Sequence, residues 1–151
     1  MPEKSYSHQV AVNAYLLKEG KFLLLKRTDP PLIWSPPGGR LGQDEDPIQG
    51  LLREIKEETH LEAEIITPVN TWFGKWQNQM LLAIDYLVIY RRGDLKLSGE
   101  HSTGLWVSIE ELRKGQPVKL YAGAGFQLDD FEKTWKLYEY FSKASSELFL
   151  F

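Results

Sequence analysis

The sequence predicts an α/β domain in which helices pack on β-sheets. Two alternating apolar runs near the N-terminus are typical of strands, and a central segment repeats apolar residues at helical spacing. A second apolar stripe at helical spacing follows near the C-terminus. At 151 residues, of which 42% are hydrophobic, the chain has the length and composition of one domain with a real core, which we expect to span 1–151.

The first two strands are predicted as a β-hairpin. Residues 8–18 and 21–27 are apolar runs joined at Glu19-Gly20, and a Gly-containing connection of this length is a hairpin signal. The prolines of the segment 28–35 then predict a loop.

The central segment predicts a capped helix. Asp46 is a good N-cap, Pro47 suits the first helical position, and Gln49 has the spacing of a capping box. Apolar residues then recur with helical periodicity, and we expect them in the core: Ile48, Leu51, Leu52 and Ile55.

The remaining elements are two strands and a terminal helix. Residues 61–65 alternate and continue past Pro68, as a bulge or an edge position, toward Trp72. Residues 79–91 predict a long central strand, and 127–148 a terminal helix. The apolar stripe of this helix is Leu128, Phe131, Trp135, Tyr138 and Phe141.

Three carboxylates of the central helix share one face. Glu54, Glu57 and Glu58 lie at positions i, i+3 and i+4, where like charges repel by roughly 0.2–0.5 kcal/mol per pair. Clustered carboxylate oxygens are what a hard divalent cation such as Mg²⁺ prefers. Arg53 is placed to neutralise and orient part of the cluster. The cluster therefore favours a metal site over an ordinary exposed acidic helix.

The segment Gly39–Leu61 resembles the Nudix box. The family pattern is G, five residues, E, seven residues, R-E-U-x-E-E-x-G-U, with U an aliphatic residue. The residues in register here are Gly39, Glu45, Arg53, Glu54, Ile55, Glu57, Glu58 and Leu61. His60 stands where the pattern has Gly, a position that ends the helix as a left-handed cap.

This resemblance implies the Nudix α/β/α sandwich, with a mixed sheet and a smaller antiparallel sheet. It also implies a metal-dependent pyrophosphohydrolase that cleaves a nucleoside diphosphate linked to another moiety. The product would be a nucleoside monophosphate, and the substrate a nucleotide sugar, ADP-ribose or a (d)NTP. The Nudix glutamates, Glu54, Glu57 and Glu58, would hold Mg²⁺, with Mn²⁺ as an alternative ion. Arg53 and Glu45 would orient the helix face.

The general base is open between two residues. Family members take it from different positions, so Glu54 and Glu100 are both candidates for the proton acceptor. Glu100 lies in a polar loop after the box, where a surface glutamate is an equally good interpretation. The neighbouring His101 is a weaker candidate, because a lone loop His more often makes a structural hydrogen bond.

Four further residues are candidates for substrate binding. Gly38 and Gly39 would let the backbone approach the substrate closely, and Arg40 could reach a phosphate, although an exposed loop Arg is as often only solvated. Trp76 is expected in a loop around Gly74, where it would stack on a base or cover a hairpin end.

Composition limits the partners and the compartment. A formal net charge of −3 argues against a stable nucleic-acid partner, and no run is long enough to span a bilayer. The chain contains no Cys, which excludes thiolate chemistry and is compatible with the cytoplasm, where we expect the protein. The apolar tail 148–151 needs cover, which makes a homodimer contact conceivable.

Two other functions remain open from sequence. The first is a catalytically silent module of the same fold that binds a nucleotide as a sensor, although a sensor has no need of all three glutamates. The second is an isomerase on the same scaffold, which in the familiar case uses Cys, a residue this chain lacks.

Overall fold

A computed structural model of the protein describes residues 7–123 and 125–144. It contains seven strands and three helices within those ranges. In chain order they are β1 Gln9–Lys18, β2 Lys21–Arg27, β3 Trp34–Ser35, β4 Gly38–Arg40, α1 Pro47–Thr59, β5 Glu62–Trp76, β6 Gln79–Arg92, β7 His101–Ser108, α2 Ile109–Lys114 and α3 Leu128–Ala144. The tail 148–151, with its expected dimer contact, lies outside the described residues.

The strands form one hydrogen-bonded network with a mixed part and an antiparallel part. The main order is β3-β2-β1-β6-β5, with β4 also paired to β1 and β7 to β2. Strands β1 and β6 are parallel, whereas the other pairs of described strands are antiparallel. The expected hairpin is confirmed, and Glu19 and Gly20 both adopt positive φ in its turn.

Helices cover both faces of the sheet, which confirms the predicted α/β/α sandwich. On one face, Leu51 and Ile55 of α1 pack on residues of β1, β2 and β6. On the other face, Phe131 of α3 packs against Tyr15, with ring centroids 4.8 Å apart. The predicted stripe of α3 lies in or against this second core.

Two details of the helical prediction are corrected. Ile48 is 39% exposed and Leu52 is only half-buried, because the face of α1 that meets the sheet is narrower than the apolar pattern. The N-cap is as predicted, since the Asp46 side chain accepts hydrogen bonds from the backbone N–H groups of Ile48 and Gln49. At the other end His60 ends α1 in the left-handed conformation, with φ of 62°.

The hairpin between β5 and β6 turns later than expected. Gly74 lies inside β5, and the turn is formed by Gln77 and Asn78, both with positive φ. Trp76 is therefore the last residue of a strand and not a loop aromatic. Pro68 lies between two irregularities of the β5–β6 register, as its sequence position predicted.

Candidate active site

Arg53, at the middle of α1, organises a carboxylate of the preceding loop and two carboxylates of the following helical turn. Its Nε and Nη2 donate to the two carboxylate oxygens of Glu45, both at 2.8 Å. Its Nη1 donates to Glu54 Oε1 at 3.0 Å and to Glu57 Oε2 at 3.1 Å. One guanidinium thus fixes the loop before the helix and two carboxylates on it, a planar geometry that a Lys side chain would not reproduce.

Glu45 is held in its ionised form. Hydrogen bonds from Arg53 and from the backbone N–H of Gly42 lower the pKa of Glu45 to about 2. The Glu45 carboxylate also explains the glycine inside the helix. A Cβ on Gly50 would lie 3.0 Å from Glu45 Oε1 and 2.4 Å from a methyl group of Leu41. Gly50 is a poor helix former, but a larger residue at this position would prevent the close approach of the loop to the helix.

Glu58 is the buried member of the cluster, with 5% of its surface exposed. Its Oε1 accepts a hydrogen bond of 2.8 Å from the backbone N–H of Gly38. Burial raises the pKa of Glu58 to about 8, the Gly38 hydrogen bond opposes that shift, and the neighbouring glutamates add to it. Burial also raises the pKa of Glu54. Burial is the main cause of both shifts and the neighbouring carboxylates add to it, and a bound cation would oppose both effects.

Glu100 and His101 reach this cluster from the start of β7. Glu100 is anchored through its backbone carbonyl, which accepts hydrogen bonds from the N–H and the hydroxyl of Thr28. Donor atoms of Glu58, Glu100 and His101 all lie within 4.8 Å of one another. His101 Nδ1 lies 3.9 Å from Glu58 Oε2 and is buried without a hydrogen-bond partner among the described residues.

These donors fit a divalent cation. The set is mostly carboxylate oxygen, which suits Mg²⁺ and Mn²⁺, with one imidazole nitrogen added. The buried Nδ1 of His101 and the buried carboxylate of Glu58 face each other across a gap of 3.9 Å that a cation would fill. Burial lowers the pKa of His101, which favours the neutral imidazole that metal ligation requires.

Gly38 and Gly39 serve the contact between β4 and its neighbours. A Cβ on Gly39 would lie 2.6 Å from the carboxyl carbon of Glu54, and one on Gly38 would lie 2.3 Å from the carbonyl oxygen of Val12. The packing of the chain itself therefore requires both glycines. They also line the cavity described next.

A cavity of about 670 Å³ opens beside the carboxylates. It is lined by all but one of the predicted site residues: Glu54, Glu57, Glu58, Glu100, Gly38, Gly39, Arg40 and Trp76. The exception, Arg53, contacts the carboxylates without lining the cavity. Arg40 donates to Gln79 Oε1 at 2.7 Å, and its Nη2 is buried without a partner among the described residues.

The cavity also has residues outside the predicted set of site residues. Trp72 lines it beside Trp76, and both rings pack against Ala11, Leu81 and Ala83. Phe73, which alternates with Trp72 on β5, is 58% exposed and packs on His8 with ring centroids 5.4 Å apart. Asn13 and Asp85 form part of the wall as well. The available signal was a polar or charged residue inside an otherwise apolar strand.

This arrangement defines a class of protein, an α/β sandwich with a carboxylate cluster at the rim of an aromatic cavity. The chain belongs to the NUDIX family, since the NUDIX domain model matches residues 7–125. The family expected from the Nudix box is thereby confirmed.

Relatives with assigned names are similar over most of the domain. The chain is 33% identical over 98 residues to an asymmetrical bis(5′-nucleosyl)-tetraphosphatase of Mus musculus, covering 60% of this chain and 66% of that protein, just under two thirds of its length. It is 31% identical over 114 residues to a putative 8-oxo-dGTP diphosphatase of Bacillus subtilis, covering 74% and 71% of the two chains. The crystal structure of the MutT protein from Methanosarcina mazei matches with a TM-score of 0.70 and 26% identity, covering 93% of this chain and 99% of that one.

Among the described residues, no helix combines the length and the apolar character needed to cross a membrane.

Proposed function

We propose that the protein is a metal-dependent pyrophosphohydrolase acting on a nucleoside diphosphate linked to another moiety. The observation that carries the proposal is the convergence of four carboxylates, from Glu54, Glu57, Glu58 and Glu100, on one cavity. The same cavity holds a buried guanidinium nitrogen of Arg40 that has no hydrogen-bond partner within residues 7–123 and 125–144. Carboxylates at that density suit a cation, and a guanidinium suits a phosphate.

The proposed metal ligands are Glu54, Glu57 and Glu58, with Glu100 and His101 adjoining them. A divalent cation held there would neutralise the diphosphate and polarise the attacked phosphorus. Arg53 keeps Glu54 and Glu57 oriented through its Nη1. Arg40 would bind a phosphate oxygen through its Nη2, which has no partner among the described residues.

The general base that takes the proton from water is Glu54 or Glu100. Burial raises the pKa of Glu54, so its carboxylate is a better proton acceptor than an exposed one. Glu100 is exposed and carried by a loop whose backbone is fixed to Thr28. Because Glu54 is also a proposed metal ligand, the informative variant is Glu100→Gln. It lowers turnover strongly without weakening metal affinity if Glu100 is the base, and it leaves most of the turnover in place if the base is Glu54.

The names of the relatives suggest more than one substrate class. The mouse relative is named for dinucleoside tetraphosphates and the Bacillus subtilis relative for an oxidised deoxynucleoside triphosphate. Both are nucleoside diphosphates extended at the second phosphate, which is the chemistry that this proposal requires. We also propose that the chain acts as a single domain and that it works in the cytoplasm.

The test is a turnover screen of the purified protein with Mg²⁺ and Mn²⁺. The panel holds dNTPs, oxidised dGTP, ADP-ribose, nucleotide sugars and dinucleoside polyphosphates, with products identified by chromatography. We expect metal-dependent release of a nucleoside monophosphate from one class, and loss of that activity with EDTA or in Glu57→Gln. Nucleotide binding with no turnover of any compound would contradict the proposal and favour the sensing module.

A further inference from the structure

A row of polar residues crosses the sheet between the second core, beneath α3, and the cavity. Asn13 on β1 pairs in register with Asp85 on β6, and Asp85 pairs with Asn70 on β5. Gly38 on β4 continues the row on the other side of Asn13. On the same face of β1, Tyr15 lies one step further in and packs on α3. The polar row is therefore the boundary of the second core.

A second row lies one step toward solvent on the same face. Ala11 pairs with Arg40 on one side and with Ala83 on the other, and Ala83 pairs with Trp72. All four residues line the cavity. The two alanines leave an open floor between a cation at one end and an indole at the other. A flat ring placed over small side chains beside an aromatic residue is a recurrent way of binding a base.

The distance along the row from Gly38 to Asp85 matches the distance from the phosphate to the base edge of a nucleotide. Neighbouring strands are about 4.8 Å apart, so Asp85, two strands from Gly38, lies about 10 Å along the row. Gly38 donates to the proposed metal ligand Glu58, which marks the phosphate end. The opposite end then coincides with the base edge of a nucleoside monophosphate whose phosphate lies beside the carboxylates.

Asp85 is a buried hydrogen-bond acceptor at the base end of the row. It is 1% exposed, and its Oδ1 accepts a bond of 3.0 Å from Asn13 Nδ2. Within the part of the chain that the structure describes, its Oδ2 accepts one long bond, of 3.5 Å, from the hydroxyl of Tyr15. An ionised carboxylate is a pure acceptor with lone pairs to spare, so it matches a base edge that carries N–H donors.

We propose that this floor is the nucleoside subsite and that Asp85 selects a guanine-type base. Guanine presents two adjacent donors, N1–H and the 2-amino group, to a single carboxylate. Adenine and cytosine each place a ring acceptor beside their amino group, and its lone pair opposes the carboxylate. Hypoxanthine keeps N1–H but lacks the 2-amino group. This inference rests on the proposed function in one respect, namely that the phosphate of the nucleotide lies beside the carboxylate cluster.

The test measures binding and needs no turnover. Titration calorimetry at pH 8 with Mg²⁺ compares GMP, IMP and AMP on the wild-type protein, and this pH keeps Asp85 ionised because its pKa is about 7. We expect GMP to bind about tenfold or more tightly than IMP and AMP, since both competitors lose at least one hydrogen bond to a charged group. Equal affinities for the three nucleotides would overturn the inference without any variant.

Two substitutions locate the subsite. In Asp85→Asn the amide presents a donor beside an acceptor, so the preference should move from GMP toward AMP. The matched control, Asp129→Asn on the exposed side of α3, should keep the wild-type ratio. Ala83→Val narrows the floor and should weaken all three nucleotides alike. A wild-type ratio retained in Asp85→Asn, with its fold verified by circular dichroism, would overturn the inference.

The two proposals fail separately. A protein that selects GMP but hydrolyses nothing contradicts the pyrophosphohydrolase and leaves the subsite in place. A protein that hydrolyses nucleotides of every base equally contradicts the subsite alone.

Discussion

Arg53 holds Glu45 through two parallel hydrogen bonds of 2.8 Å, and the same guanidinium reaches two of the proposed metal ligands. The pair joins the loop before α1 to the face of the helix that carries the acidic cluster. Because Glu45 takes Nε and Nη2, only Nη1 remains for Glu54 and Glu57. The position of both carboxylates therefore depends on a residue that precedes the helix.

Replacing Arg53 should lower activity more than it lowers stability. Arg53→Ala frees both carboxylates to repel each other, and we expect turnover to fall about 10- to 100-fold with weaker metal affinity. The matched control is Arg113→Ala, which breaks a similar two-bond ion pair with Glu132 away from the cavity. Comparable activity in the two variants would argue that the Arg53 network is only structural.

Glu57→Gln should remove turnover while the fold remains. The side chain of Glu57 is 58% exposed, so its substitution should change the free energy of unfolding by less than about 0.5 kcal/mol. We expect turnover to fall at least about 100-fold, because a proposed metal ligand is lost. Thermal unfolding and Mn²⁺ titration measure the two effects, with Glu110→Gln on the exposed face of α2 as the control. A variant that unfolds instead would show that the glutamates are a structural charge cluster.

Two alanine substitutions in β4, at Gly38 and at Gly39, should differ in whether they lower mainly stability or mainly activity. A Cβ on Gly39 meets the end of the Glu54 side chain, which Arg53 holds by a hydrogen bond but which can yield by a change of rotamer. Gly39→Ala should therefore lose activity about tenfold, with a smaller loss of stability than Gly38→Ala. A Cβ on Gly38 meets the Val12 carbonyl of the neighbouring strand, so Gly38→Ala should cost about 1–3 kcal/mol of stability. Equal losses of stability would contradict this distinction, and thermal unfolding decides it.

His60→Gly should stabilise the protein. His60 ends α1 with φ of 62°, a conformation that costs a residue with a Cβ roughly 1–2 kcal/mol. The backbone entropy of Gly offsets part of that gain, so we expect about 0.5–1 kcal/mol in chemical denaturation, with activity unchanged. His60→Ala keeps the penalty and should show no gain. A loss of stability in His60→Gly would mean that the imidazole makes a favourable contact.

The free energy of unfolding should fall as pH rises from about 4 to 7, in part because of Asp85. Burial raises the pKa of Asp85 to about 7, with Asp130 of α3 adding to the shift and hydrogen bonds from Asn13 and Tyr15 opposing it. The folded state therefore binds more protons than the unfolded state in that window, and ionisation costs stability, on the order of 1–4 kcal/mol in total.

Asp85→Asn should flatten that pH dependence. Burial raises the pKa of Glu58 in the same direction, so the informative quantity is the difference between the wild-type and Asp85→Asn curves. We expect the variant to gain stability relative to wild type as pH increases, measured by urea denaturation at pH 5 and pH 8. Parallel curves would show that Asp85 keeps an ordinary pKa.

The carboxylate helix was predictable because its information is local. The N-cap Asp46 and the i, i+3, i+4 spacing of the glutamates follow from a short stretch of sequence. The turn at Gln77-Asn78 was misplaced, because Gly74 is the expected turn residue by composition, although its lack of a Cβ serves the ring of Trp72, which lies 2.8 Å from the position of a Cβ there. Asn13 and Asp85 escaped sequence analysis because their significance depends on strand register.

The parallel pairing of β1 with β6 has a kinetic consequence. It joins Asn13 to Asp85 across 72 positions of the chain, so much of the chain must be ordered before that contact forms. Loop-closure entropy of this kind slows folding, whereas α1 and its glutamates depend on near neighbours and form early. During synthesis the acidic helix would then form before the cavity floor that we propose binds the nucleoside. Only the completed domain would bind the nucleotide. A nucleotide present during folding would therefore stabilise the folded state, once β1 and β6 have paired, by mass action.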